Sequence, residues 1–194
     1  MSRRLIFDTS GASAAEFAIV LPILLLFLFG IVDAGRWIWT YNKAEKAAQM
    51  GARMAVVTSP VASSVSDSYL GACTPALTQG DLIPASCFST ITCTNAACSS
   101  GTEDAAAFQA IVTRMKYFLP ELSADNVTIE YGPSGLGYAG NPHGPDLAPL
   151  VTVKIGTPTA LQFTPITFLL LASMNMPPFT TTLTAEDLSG SQSN

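Results

Sequence analysis

From Phe17 to Val32 the chain reads FAIVLPILLLFLFGIV, sixteen residues without a charge. Counted from Ala12, the apolar stretch is about 21 residues, or roughly 31 Å of helix, which matches the hydrocarbon thickness of a bilayer. Pro22 sits about one turn into the run. There it removes a backbone hydrogen bond and bends the helix, a defect that membrane helices tolerate better than soluble ones. Trp37, Trp39 and Tyr41 follow just past the run, where an interfacial aromatic belt is expected. The constraint that matters most is Glu16, at the front of the run. An ionised carboxylate entering a membrane is costly and needs a partner.

Three export mechanisms compete for this N-terminus. A secretory signal peptide would use Val32-Asp33-Ala34 as a small-x-small cleavage site before Gly35. It leaves Glu16 unexplained, and so does an uncleaved signal anchor. Cleavage after Gly11 on the cytoplasmic face instead makes Ala12 a new N-terminus with Glu16 at its fifth position. The α-amino group of a neighbouring subunit can then pair with Glu16, relieving the buried charge only on assembly. The third mechanism is the one that gives the glutamate a partner, and Phe17 belongs to the same pairing region. The Lys/Arg count points the other way: Arg3 and Arg4 precede the span, whereas Arg36, Lys43, Lys46 and Arg53 follow it. Long following domains translocate largely regardless of charge, and the cysteines downstream suit an oxidising compartment.

From Asp33 to Val57 the pattern stays helical, with Asp33 and Arg36 three apart on one face. Ala44, Ala48, Gly51 and Ala55 form a seam of small residues along one side. Such a seam admits a second helix at close range, the protein's own head, or both along different parts of one helix.

Beyond Val57 the character changes. Thr58 to Gly101 is rich in Ser, Thr, Ala and Cys, carries scattered prolines, and reads as loop. Its four cysteines, Cys73, Cys87, Cys93 and Cys98, form an even cluster that reads as a disulfide framework whose pairing is open. The competing zinc site lacks paired C-x2-C knuckles. A helix follows, with Ser100-x-x-Glu103 resembling a capping box and Phe108, Ile111, Val112 and Met115 at helical spacing; Pro120 ends it. Asn126–Tyr131 and Leu150–Ile155 alternate as strands, and 179–187 is a third candidate. Between the first two lies a Gly/Pro loop containing His143, read as a solvated loop residue. The apolar patch Ile166 to Met174 is too short to span a bilayer and suits core or subunit contact. LSGSQSN closes the sequence as a frayed tail.

Composition excludes several functions. Net charge is -5 and only 12% of residues are charged, so there is no basic patch to neutralise phosphates, and nucleic acid is not expected as a partner. No paired carboxylates, G-x-S-x-G elbow, P-loop or H-E-x-x-H occurs, and the single histidine lies in a loop. These features predict a non-enzyme without a cofactor, a metal or a small-molecule substrate.

The stretch GASAAEFAIVLPILLLFLFGIVDAGRWIWTYNKAEKAAQMGARMAVV resembles the N-terminal segment of the TadE-like (TadE/TadG-like) family, pseudopilins or minor pilins of the bacterial tight-adherence (Flp) pilus. The features that carry the likeness are Gly11 with Glu16-Phe17, Leu21-Pro22, Phe29-Gly30, an acidic residue before Gly35-Arg36, and the GAR at Gly51 to Arg53. The resemblance covers roughly residues 10 to 57. It implies processing after Gly11 by a prepilin peptidase, other pilins of the same system as partners, and an inner-membrane location with the head in the periplasm. The expected fold is α+β and pilin-like: a leader at 1–11, a transmembrane and spine helix at 12–57, and a head at 58–194 with one further helix and an antiparallel sheet of about three strands. The expected function is a part in pilus assembly; the alternative is an uncleaved signal-anchored envelope protein with a partner-binding domain.

Overall fold

The computed structural model describes residues 11–142, 145–169, 172–185 and 188. The expectations for Arg3 and Arg4, for His143 and for the tail beyond Leu188 lie outside these residues. In chain order the elements are α1 (Ala12–Ala55), β1 (Ile91–Cys93), α2 (Ala105–Lys116), β2 (Val127–Gly132), β3 (Leu150–Ile155), β4 (Gln162–Phe163), β5 (Met174–Asn175) and β6 (Phe179–Thr184), with short 3-10 turns between them. The chain divides into two compact units. One takes α1 up to Trp39 together with Phe163–Met174; the other takes Thr40–Gln162 and the residues from Asn175 onward.

In the first unit, α1 passes through Pro22 without ending. All residues from Ala14 to Val32 are exposed. The second chain segment of this unit contains a 3-10 turn, Ile166–Leu169. Phe163 packs edge-on against Trp37, with ring centroids 5.1 Å apart.

The second unit is built on an antiparallel sheet in the order β1-β2-β3-β6. Register puts Val127 opposite Ile155, Ile129 opposite Val153 and Tyr131 opposite Val151. Ile155 in turn faces Phe179. Side chains alternate across a strand, so this register collects Val127, Ile129, Tyr131, Val151, Val153, Ile155 and Phe179 on one buried face. Full burial of such side chains is worth about 1.5–3 kcal/mol each before the entropy of ordering them is subtracted. The opposite face is polar: the Thr152 and Thr182 hydroxyls meet at 2.9 Å, and Lys154 pairs with Glu130 at 2.6 Å.

The sheet has four strands rather than three, because β1 pairs with β2 from inside the Ser/Thr-rich region read as loop. All four cysteines are paired, as Cys73–Cys87 and Cys93–Cys98. The second bridge closes a turn directly off β1. These two bridges tie down a region with little regular structure and leave no thiolate for the competing zinc site.

The second helix begins later than its capping-box motif. Asp104 is the N-cap and accepts from the Ala106 and Ala107 N–H groups, each at 3.0 Å. Ser100 and Glu103 cannot cap it, because Gly101 between them has φ +77° and helical backbone requires negative φ. Their backbones serve other contacts: the Ser100 carbonyl accepts from Ser64, and Glu103 bridges to Ala62. Phe108, Ile111, Val112 and Met115 are buried, as their spacing predicts. Asn126 closes a 3-10 turn rather than opening β2. Its side chain accepts from the Ser123 N–H and donates to the Thr159 carbonyl.

Two polar side chains fasten the long loops of this unit. The Tyr131 hydroxyl, inside the core, accepts from the Val61 N–H at 2.9 Å, and burial pushes its phenol up to about 12. Asp146 accepts from the Tyr69, Gly140 and Asn141 N–H groups and from the Ser68 hydroxyl. Burial pushes its carboxyl up, but those four hydrogen bonds outweigh it and hold the group below the ordinary carboxylate value.

Candidate functional site

The candidate site is α1 itself, since it carries the residues singled out in the sequence. Gly11 stands immediately before α1 and is exposed; a Cβ added there meets nothing within 4 Å. Among the described residues, neither space nor backbone conformation therefore requires a glycine at this position. One turn and a half further on, Glu16 and Phe17 are both exposed, Phe17 to 64%. From there the helix leaves Ile19, Ile23, Phe27 and Ile31 uncovered. This is an apolar surface far beyond the scattered exposed residues of ordinary soluble proteins. By length and composition α1 can cross a membrane, and it is a candidate membrane anchor.

The small-residue seam lies further along α1, within the second unit. Ala44, Ala48, Gly51 and Ala55 are buried inside the single chain. Gly51 faces Met115 of α2 so closely that a Cβ would lie 2.6 Å from its sulfur. The protein's own head therefore occupies this face.

Asp33, at the end of the apolar run, has a role that sequence alone missed. It is 7% exposed. One carboxylate oxygen accepts from the Ile166 N–H at 2.7 Å and from Arg36 at 3.0 Å. The other accepts from the Thr167 N–H at 3.0 Å and the Thr167 hydroxyl at 2.8 Å. The carboxylate thus satisfies the free N–H groups at the start of the 3-10 turn, which have no partners inside the turn. Arg36 extends over the Phe163 ring, 5.4 Å from its centroid. An apolar hollow of about 420 Å³ lies beside this clasp, lined by Gly30, Ala34, Trp37, Phe163, Pro165 and Met174 among others. The available signal was Asp33 beside the aliphatic run and three residues before Arg36; nothing local pointed to partners more than 130 positions away.

Fold and site together define an α+β protein with a head domain and one N-terminal candidate membrane anchor. Residues 11–53 match the TadE family model, described as TadE-like protein. The matched segment is less than a quarter of the chain. It begins at Gly11, includes Glu16 and Asp33, and ends within the buried seam. No curated protein matches the chain, and no solved structure does. The TadE-like match points to a protein associated with the tight-adherence pilus.

Proposed function

We propose that the protein is a minor pilin or pseudopilin that takes part in assembly of a tight-adherence (Flp-type) pilus. In this account a prepilin peptidase cuts after Gly11, and the mature chain starts at Ala12. It sits in the bacterial inner membrane with its head in the periplasm, and its partners are other pilins of the same system. The observation that carries the proposal is that the segment matching the TadE-like family, 11–53, contains the helix whose apolar surface is left bare from Ala14 to Val32. Among the described residues nothing packs so close to Gly11 that it must be glycine, which suits a residue selected for recognition by an enzyme.

Glu16 is the assembly residue. A charge held at the centre of a bilayer costs about 2.5–3.5 kcal/mol by insertion scales, and a carboxylate one turn inside the helix carries part of that cost. The α-amino group of Ala12 on a neighbouring subunit supplies a countercharge, so association relieves the penalty. Because the seam from Ala44 to Ala55 is filled by the protein's own head, subunit contact is assigned to the segment from Ala12 to Val32. An uncleaved anchor would leave both Gly11 and Glu16 without a role.

The test is Glu16→Ala in the producing cell. Processing should continue largely as in wild type while piliation falls, because the variant keeps the cleavage site and loses the countercharge. Wild-type piliation in that variant contradicts the pairing.

A further inference from the structure

We infer that Phe163–Met174 is a second membrane-contacting element, an apolar foot that enters the lipid interface beside the end of the α1 span. The inference rests on the reading of α1 as membrane-inserted. No Asp, Glu, Lys or Arg occurs between Lys154 and Glu186, and the middle of that stretch reads FTPITFLLLASM. The patch is too short to cross a bilayer and, by its length, is suited to an interface.

In the structure the segment leaves the second unit after Gln162, rejoins it at Asn175, and groups with α1. It is held at Asp33, one residue beyond Val32, where the apolar run ends. Ile166 and Met174 are 48% and 44% exposed, and Ile38 on the helix is 60% exposed. Ile166, Met174 and Ile38, from two chain segments, thus remain largely exposed at the end of the span, beside the aromatic residues expected at a membrane surface.

The polar groups of the foot suit the same location. Backbone N–H groups near hydrocarbon must be satisfied internally. Asp33 does this for Ile166 and Thr167, and the β4–β5 pair closes the base of the excursion. Arg36 neutralises Asp33 while its own side chain stays 46% exposed. Its long stem can lie along apolar surface with the guanidinium at headgroup level. A foot facing water would expose its isoleucine and methionine at a cost.

The occupant assigned to this surface is the bilayer itself. The chain has two tryptophans, Trp37 and Trp39, so Trp37→Phe with Trp39→Phe gives a background free of tryptophan. Into this full-length background Ile166→Trp is introduced, with Met174→Trp as a second reporter and Phe27→Trp as the marker of the span. Each protein is reconstituted in phosphatidylethanolamine/phosphatidylglycerol vesicles, with and without brominated acyl chains, and titrated with iodide. The reporters at 166 and 174 should lose most of their emission to brominated lipid and little to iodide. Quenching by iodide alone overturns the foot, and so does quenching by neither, which would mean coverage by protein. If Phe27→Trp is also untouched by brominated lipid, the membrane reading of α1 fails with it. If Phe27→Trp is quenched and the others are not, only the foot fails.

Discussion

Replacing Gly51 by alanine tests whether the head truly fills the small-residue face of α1. On helix propensity alone the change should stabilise by about 1 kcal/mol, since glycine is the poorest interior helix former after proline. Packing opposes it. A Cβ at position 51 lies 2.6 Å from the Met115 sulfur and 2.8 Å from its Cγ, roughly 0.8 Å short of the 3.4 Å at which ordinary contact begins. Met115 is fully buried, so it cannot swing into solvent, and overpacking of this kind costs about 1–3 kcal/mol. The net expectation for Gly51→Ala is a loss of about 1 kcal/mol in urea unfolding of the full chain in detergent, followed by near-ultraviolet circular dichroism. The double variant Gly51→Ala/Met115→Ala supplies the control. The new methyl group fills part of the cavity left by the methionine, so the two changes should couple by about 1 kcal/mol or more. Stabilisation by the full propensity gain, with additive behaviour in the double variant, would refute internal packing and leave the face free for a neighbour.

Two further outcomes follow from the loop fastenings. Tyr131→Phe leaves the buried Val61 N–H without its acceptor, which should cost about 1–3 kcal/mol in the same assay; an unchanged midpoint would mean that water reaches this group. Asp146 has its folded-state proton affinity lowered, so its contribution is present above the ordinary carboxylate value of 3.8 and is lost as pH falls below it. Asp146→Asn should therefore be less stable than wild type near neutrality and should show a flatter decline in acid, measured as the urea midpoint against pH. Parallel acid limbs in the two proteins would contradict this assignment.

What could be read from the sequence was what depends on near neighbours. The alternation of Val127, Ile129 and Tyr131, and of Val151, Val153 and Ile155, announced two strands because one face of each is buried. The helical spacing from Phe108 to Met115 announced α2, and the absence of charge from Phe17 to Val32 announced the exposed apolar helix. The failures share a cause, which is that distant partners overruled local signals. Ile91–Cys93 is a strand because β2 pairs with it, and three residues amid Ser and Thr carry no period of their own. The Ser100-x-x-Glu103 motif is local chemistry, overridden by the positive φ of Gly101 and by contacts to Ser64 and Ala62. Asp33 resembled half of a surface ion pair; its main role is to hold a turn far along the chain.

Whether Gly11 marks a cut and Ala12 begins the mature subunit is read from intact mass and N-terminal sequencing of the protein extracted from membranes of the producing cell. The expected chain begins at Ala12. A chain that begins at Gly35, or that still carries Met1 or Ser2 at its start, contradicts it.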